Sequence, residues 1–179
     1  MDGDWIPTKV VEKMDDHPSM DFRKPKQVEA ALRELAAASG YTKKETEQTI
    51  QRKGRGVVEP FGHDHNYCLN NFKRTPGAAG CPVREILTLA HPDSGRVMKV
   101  SSSAPGVQVY FGNYIQHVPG KGGYAYKQRA GMCLETQSYP NAISPDAKKF
   151  PEYAKGACFI LRPGGKPYVH DMNMKFGTK

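Results

Sequence analysis

The chain has 179 residues, of which 38% are hydrophobic and 25% are charged, and it carries a formal net charge of +8. That length suits one domain with a sizeable core, so we predict a single domain over residues 1–179. The composition argues against wholesale disorder. No apolar run approaches membrane-spanning length or resembles a signal peptide, so we expect no membrane partner.

The positive charge raises the question of a nucleic-acid partner. The densest basic stretch, "TKKETEQTIQRKGR" at residues 42–55, is interleaved with Glu45 and Glu47 and has no aromatic ring for base stacking. A solvated loop explains this pattern better. We therefore predict no nucleic-acid partner and interpret residues 41–58 as an inserted surface loop. An interaction protein that binds a polyanion through this loop is the alternative.

One helix is predicted near the start of the chain, from about residue 26 to residue 39. Val28, Leu32 and Leu35 recur at helical spacing, alanines fill the gaps, and Gly40 stands where a glycine commonly ends a helix.

From residue 57 onward, clusters of glycine and proline separate short apolar runs, which favours an all-β chain. The turns are predicted at "HPDSG" (91–95) and "RPGGKP" (162–167). The predicted strands are residues 65–69, 83–90, 96–101, 107–111, 131–137, 157–162 and 168–176.

Four widely spaced cysteines, Cys68, Cys81, Cys133 and Cys158, include no CxxC pair. Cys68 and Cys133 lie in strand-like apolar runs, where a free thiol behaves as a small hydrophobe. We therefore predict free thiols and a cytoplasmic location.

The stretch "GHDHNYCLN" (62–70) is the first candidate for chemistry. On a strand, His63 and His65 point to one face and Asp64 and Asn66 to the other. A His-x-His pair could contribute to a metal site, but zinc needs three or four ligands and no second Cys/His cluster is present. We predict no metal. Asp64 then either accepts hydrogen bonds from a polar ligand or satisfies nearby backbone amides.

The stretch "APGVQVYFGN" (104–113) is the second candidate. Gln108 lies between two valines on a predicted strand, and an aromatic residue follows two places later on the same face. An amide can donate to and accept from sugar hydroxyls, and an aromatic ring can cover an apolar sugar face. A single polar residue on a half-exposed strand is the ordinary alternative.

The stretch "RAGMCLETQSYPNA" (129–142) places one carboxylate, Glu135, among apolar neighbours. Alternation puts Glu135 on one face with Cys133 and Gln137. We expect partial burial, which would raise the pKa of the carboxyl towards a value useful for a general base. A buried Glu135 paired with an arginine such as Arg129 is the structural alternative.

Taken together and in order, these stretches resemble the aldose 1-epimerase family, also called the galactose mutarotase family. The resemblance covers most of the chain from Asp4 to Phe176 and omits the insertion at residues 41–58. The motifs that carry it are "DGDWIPT", "DFRKP", "DHNYCLN", "GRVMKV…PGVQVYFGN" and "GMCLETQ.YPNA" followed by "FP".

The resemblance implies an antiparallel β-sandwich of the galactose mutarotase-like supersandwich type, with a cleft for a free hexose such as galactose or glucose. A glutamate in "LETQ", here Glu135, takes a proton from the anomeric hydroxyl. Asp64 and Gln108 match positions that bind the sugar. Proton transfer needs no metal or other cofactor, so the resemblance implies none.

Several features depart from the family pattern. Its acid histidine belongs to an "NH.YFNL"-type motif that is absent here, as are a second sugar-binding histidine and an arginine. None of the six histidines lies in a matching context. His63 replaces a residue that is usually apolar, and we expect it to alter the rim of the site.

The chain thus resembles only the C-terminal half of the family, and we expect it to be part of a longer protein. Half a sandwich leaves sheet edges uncovered, so a homo-oligomer or a missing N-terminal half would be needed to cover them. The expected activity of this half alone is weak or absent, because an acid is missing. A non-catalytic carbohydrate-binding protein and a hexose-6-phosphate 1-epimerase are the alternative functions.

Overall fold

The computed structural model describes residues 7–39, 49–51, 58–60, 62–70, 72, 81–115, 117–150, 160–165 and 167–179. These residues form mostly antiparallel β-structure with one α-helix, which is consistent with the predicted all-β sandwich. None of the helices among them is long and apolar enough to cross a membrane.

The helix, α1, spans Val28–Ala38 and agrees with the predicted element. Its buried side is formed by Ala31, Leu35 and Ala36, whereas Val28 is exposed. Ala31 and Leu35 are four residues apart and therefore lie on the same side of the helix. Short 3₁₀ turns at Met14–Asp16 and Pro18–Met20 precede it.

Ten strands, numbered in chain order, make up the β-structure of the described residues. They are β1 (Thr49–Gln51), β2 (Val58–Pro60), β3 (Asp64–Cys68), β4 (Arg84–His91), β5 (Arg96–Ser102), β6 (Gly106–Tyr110), β7 (Val118–Pro119), β8 (Ala125–Tyr126), β9 (Cys133–Gln137) and β10 (Met172–Thr178). The antiparallel pairs β1–β2 and β7–β8 were not predicted. The first of them lies at the insertion, and residues 41–48 and 52–57 of that predicted loop are outside the described residues.

One three-stranded sheet has the order β10–β5–β4. A turn at Pro92–Ser94 connects β4 to β5, as the "HPDSG" pattern predicts, and Gly95 follows in the left-handed conformation with φ 67°. β10 pairs antiparallel with β5 along its whole length, from Met172 opposite Ser102 to Thr178 opposite Arg96. The last strand therefore begins four residues later than predicted, because its hydrogen-bonding partner ends at Ser102.

A second three-stranded sheet has the order β3–β6–β9. Its strands agree with three of the predicted runs to within about two residues, a margin expected at element ends. The run predicted at 157–162 is different: residues 157–159 are outside the described part, and residues 160–162 are not a strand, so the prediction is wrong there.

The chain divides into two compact units, and the division falls within β3, β6 and β9. In the first unit (Met1–Val11, Asn66–Val107, Glu135–Lys179), Tyr139 and Ala147 form a buried cluster with Cys68, Ala142 and Phe150. In the second unit (Glu12–His65, Gln108–Leu134), the buried residues include Ala31, Leu35, His63, Phe111 and Asn113.

Candidate functional site

The structure brings two of the three predicted site residues into direct contact. Asp64 begins β3 and Gln108 lies in the middle of β6. The Gln108 Nε2 amide donates to Asp64 Oδ1 over 2.7 Å, although the two residues are 44 positions apart in the sequence. Both side chains are half-buried, so each is reachable from one side.

This pair has the chemistry to bind a polyhydroxylated ligand. A carboxylate only accepts hydrogen bonds, whereas an amide both donates and accepts. Hydrogen bonds that include a charged partner are shorter and stronger than those between neutral groups. The bond from Gln108 therefore fixes the orientation of the Asp64 carboxylate before any ligand arrives, and it uses one oxygen of that group.

The residue before Asp64 lies in the core. His63 has 0% relative exposure, and its ring packs against Phe22 and Phe111 with centroid distances of 5.4 and 4.7 Å. Burial lowers the pKa of His63 to about 4, with a contact from Nε2 to the Ala31 carbonyl opposing the shift. The expectation that His63 alters the rim of the site is therefore wrong, because strand alternation turns its ring away from the Asp64 face.

Backbone contacts hold the start of β3 in place. The His63 carbonyl accepts from the Phe111 backbone N–H at 3.1 Å and from the Asn113 Nδ2 amide at 2.9 Å. Gly62 has φ 156°, and a Cβ atom at that position would overlap the Asn113 side chain. Only glycine fits here, so the position of Asp64 depends on this close approach.

Glu135 lies in β9 and is exposed, so the predicted burial is wrong. The half-buried side chains next to it, Leu134 and Thr136, point to the opposite face of the strand. Thr136 Oγ1 lies 3.0 Å from His170 Nε2, which links that opposite face to the C-terminal segment. The apolar side chain of Leu134 therefore does not cover Glu135, although Cys133 shares its strand face.

Two amides that the sequence analysis did not connect also form a pair. Gln137 Nε2 donates to Asn66 Oδ1 over 3.3 Å. Gln137 shares a strand face with Glu135, and Asn66 shares a strand face with Asp64. The alternation pattern placed each residue on its face, but it held no signal that the two strands are near each other.

Within the described ranges, no group of three or more His, Cys, Asp or Glu side chains could hold a metal ion. His65 Nδ1 accepts from the Asp64 backbone N–H at 3.1 Å. This hydrogen bond to the neighbouring residue occupies one of the two ring nitrogens of His65.

A sequence model of the family described as "Aldose 1-epimerase" matches residues 1–166, which include Asp64, Gln108 and Glu135. The chain belongs to the aldose 1-epimerase family. This confirms the resemblance on which the sequence analysis relied.

Curated relatives of this aldose 1-epimerase family member include galactose mutarotase of Homo sapiens, which is 37% identical over 118 residues. The aligned stretch is 65% of this chain and 30% of the human protein. Galactose mutarotase of Sus scrofa is 39% identical over 110 residues, which are 61% of this chain and 27% of that protein.

A bacterial relative, aldose 1-epimerase of Escherichia coli, is 30% identical over 103 residues. That stretch is 58% of this chain and 26% of the bacterial protein. The matched part of this chain thus spans less than a third of each of these relatives.

Proposed function

We propose that this chain contributes to the interconversion of the α and β anomers of free hexoses, such as galactose or glucose. The proposal rests on the family membership, and the single structural observation that carries it is the 2.7 Å contact between Asp64 and Gln108. The names of the relatives, galactose mutarotase and aldose 1-epimerase, support the same reaction. They do not favour a hexose-6-phosphate or a purely sugar-binding role.

In this proposal, Asp64 and Gln108 bind hydroxyls of the sugar. Asp64 accepts from hydroxyl groups, while the Gln108 amide holds the carboxylate and offers its own oxygen as a further acceptor. Removing one member of such a pair leaves the other without its partner, which costs more than the net strength of the bond.

Glu135 is proposed as the general base. Its carboxylate takes the proton of the anomeric hydroxyl, the anomeric oxygen becomes the aldehyde oxygen, and the bond from the anomeric carbon to the ring oxygen breaks. The bonding pair moves to the ring oxygen, which takes a proton from a general acid. Rotation of the aldehyde group and reclosure then give the other anomer. The support for this role is the family membership, since the matched residues 1–166 include Glu135.

Catalysis also needs a general acid, and none is identified among these residues. His63 is fully buried with its pKa at about 4, so it is neutral near pH 7 and unsuited to donating a proton to a sugar. A positioned acid or base typically contributes about 10²–10⁴-fold to a rate. We therefore expect weak or no acceleration from the 179 residues alone.

The proposal includes a covering partner for the exposed apolar side chains of β10. Met172, Met174 and Phe176 alternate along this edge strand and are 44%, 45% and 72% exposed. We infer that a second copy or an N-terminal half of the sandwich covers them. We also propose a cytoplasmic location, supported by the free thiols of Cys81 and Cys133.

Titration with galactose and glucose, followed by polarimetry on the freshly dissolved α-anomers, tests the proposal. We expect saturable binding that Asp64→Asn and Gln108→Ala each weaken by about tenfold or more. Glu135→Gln should leave binding within about twofold and remove any acceleration of mutarotation, consistent with the contribution of a positioned base.

Matched controls are Asp93→Asn in the exposed turn after β4 and Glu85→Gln on β4, since both change one carboxylate away from β3, β6 and β9. Binding that survives Asp64→Asn and Gln108→Ala would rule out the proposed sugar contacts. Rapid mutarotation that Glu135→Gln does not change would remove the base assignment, and binding without any turnover would select a non-catalytic sugar-binding role.

A further inference from the structure

The β7–β8 hairpin exposes side chains on both of its faces. Val118 lies opposite Tyr126 in the antiparallel pair, and Tyr124 precedes β8 in extended backbone and shares the Tyr126 face. These three side chains are 46%, 41% and 64% exposed, respectively. Pro119 and Ala125, on the other face, are exposed as well. The described residues therefore cover neither face of this hairpin.

The two tyrosine rings of the hairpin contact each other in a defined arrangement. Their centroids are 6.0 Å apart and their planes are inclined by 65°, which is an edge-to-face contact. The Gly120 backbone N–H donates to the Tyr124 carbonyl at 2.6 Å, and a Cβ atom at Gly120 would lie 2.6 Å from a ring carbon of Tyr126. The missing side chain at Gly120 thus lets the Tyr126 ring lie close to the hairpin backbone. Such preorganisation reduces the entropy lost on binding.

The hairpin also carries positive charge. Lys121 lies in its turn and Lys127 directly follows β8, and both side chains are exposed. The sequence contains no aspartate or glutamate between Asp93 and Glu135. Within the part of the chain that the structure describes, neither lysine forms an ion pair. The two ammonium groups therefore favour a partner that brings carboxylates.

A further strand can join this hairpin at its edge. Among the described residues, β7 and β8 form a sheet of two strands, so each strand has one side without a neighbouring strand. Pro119 has no backbone N–H, which makes β7 the poorer of the two edges. An extended peptide can add to a sheet edge through backbone hydrogen bonds, and its side chains then alternate between the two faces. A hairpin of two strands is marginally stable by itself, so a third strand stabilises it.

We propose that the β7–β8 hairpin is a docking surface for an extended, acidic segment of a partner protein, which adds to β8. Carboxylates of the segment pair with Lys121 and Lys127, and its apolar side chains pack on Val118, Tyr124 and Tyr126. Exposed apolar patches commonly mark interaction sites, and tyrosine is enriched among the residues that dominate binding energy. The inference does not depend on the proposed function.

The geometry of the tyrosine pair favours a protein segment over single-stranded nucleic acid. Proteins that bind single strands stack successive bases on the faces of aromatic rings. Tyr124 and Tyr126 meet edge to face, so they do not offer two parallel faces to neighbouring bases. A mixed surface of ring faces, ring edges and a valine suits the varied side chains of a peptide instead.

Fluorescence anisotropy with labelled probes and the whole chain tests the docking surface. The main probe is a ten-residue peptide that alternates glutamate with valine. We expect it to bind with a Kd of about 10–100 µM, and raising NaCl from about 50 mM to about 300 mM should weaken it about three- to tenfold. The same peptide with lysine in place of glutamate should bind at least about tenfold more weakly, since it repels the hairpin lysines.

Substitutions in the hairpin separate its charge from its aromatic surface. The double variant Lys121→Gln with Lys127→Gln should weaken the glutamate peptide by about tenfold or more, and Tyr124→Ala should weaken it by about fivefold. The matched controls are Lys149→Gln and Tyr168→Ala, which change an exposed lysine and an exposed tyrosine outside the hairpin and should leave the affinity within about twofold.

Hydrogen exchange gives a measurement that needs no substitution. Saturation with the glutamate peptide should slow exchange of the backbone amides within residues 117–127, because a strand added to β8 protects that edge. Urea unfolding midpoints of the hairpin variants without peptide should match that of the parent chain, since the substituted side chains are exposed.

Four results would overturn the inference. Absence of glutamate-peptide binding at millimolar concentration is the first, and equal binding of the glutamate and lysine peptides is the second. The third is binding that the double lysine variant and Tyr124→Ala both leave unchanged. The fourth is tighter binding of a ten-nucleotide oligothymidylate that displaces the peptide, which would assign the hairpin to nucleic acid. Self-association of the parent chain that the double lysine variant abolishes would likewise replace the partner protein by a second copy.

Discussion

The burial of His63, the residue before Asp64, leads us to predict how much folding stability the chain loses in acid. His63 has 0% relative exposure, and its pKa in the folded chain is about 4, against an ordinary value of 6.5. Because the folded state binds a proton at His63 less readily than the unfolded state, the contribution of His63 to stability is fully present above pH 6.5. Stability contributed by the neutral ring is lost as the pH falls from 6.5 towards 4.

The size of the effect follows from the two pKa values. A difference of one pKa unit corresponds to about 1.4 kcal/mol, so the full shift amounts to about 3 kcal/mol. Most of that loss falls between pH 6.5 and pH 4. At pH 5 the loss is about 2 kcal/mol relative to pH 7.5. This is a large fraction of the 5–15 kcal/mol by which domains are typically stable.

The substitution that isolates the pH-dependent contribution of His63 to stability is His63→Phe. A phenyl ring keeps packing against Phe22 and Phe111 but cannot take a proton. Urea unfolding of both chains between pH 7.5 and pH 4.5 should show that the variant loses about 2 kcal/mol less than the parent at pH 5. His117→Gln, at an exposed histidine, is the control and should follow the parent curve.

Parallel pH curves for the parent and His63→Phe would refute the reasoning. So would a His63 ring that titrates near pH 6.5 in the folded chain when followed by NMR. Either result would mean that the ring is accessible to water or has a partner that stabilises its charged form.

Two further predictions concern the stability contributed by Gly62, which precedes β3, and by Arg84 on β4. Gly62→Ala should destabilise the chain by about 1–3 kcal/mol in urea unfolding, because the added Cβ atom would overlap the Asn113 side chain. An unchanged unfolding midpoint would show that Gly62 and Asn113 are not in tight contact. Arg84→Met should lower the free energy of unfolding by about 1–3 kcal/mol, since the Arg84 guanidinium donates to the Ser102 and Ala104 carbonyls at 3.1 and 3.0 Å. A loss below about 0.5 kcal/mol would mean that water replaces these hydrogen bonds.

The sequence was sufficient to predict the local elements of the fold. The spacing of apolar residues located α1, and alternation between turns located β4, β5 and β6 to within about two residues. These patterns are readable because helix and strand periodicities depend on residues only a few positions apart. The ordered motifs also led to the aldose 1-epimerase family, which the comparison confirmed.

Only the tertiary structure decided which side chains are buried and which of them meet. Glu135 has apolar neighbours in sequence and is nevertheless exposed, whereas His63 has polar neighbours and is fully buried. The bond between Gln108 and Asp64 joins residues 44 positions apart. Burial and side-chain pairing depend on which distant strand or helix covers a face, and a periodic pattern along one strand carries no information about that distant element.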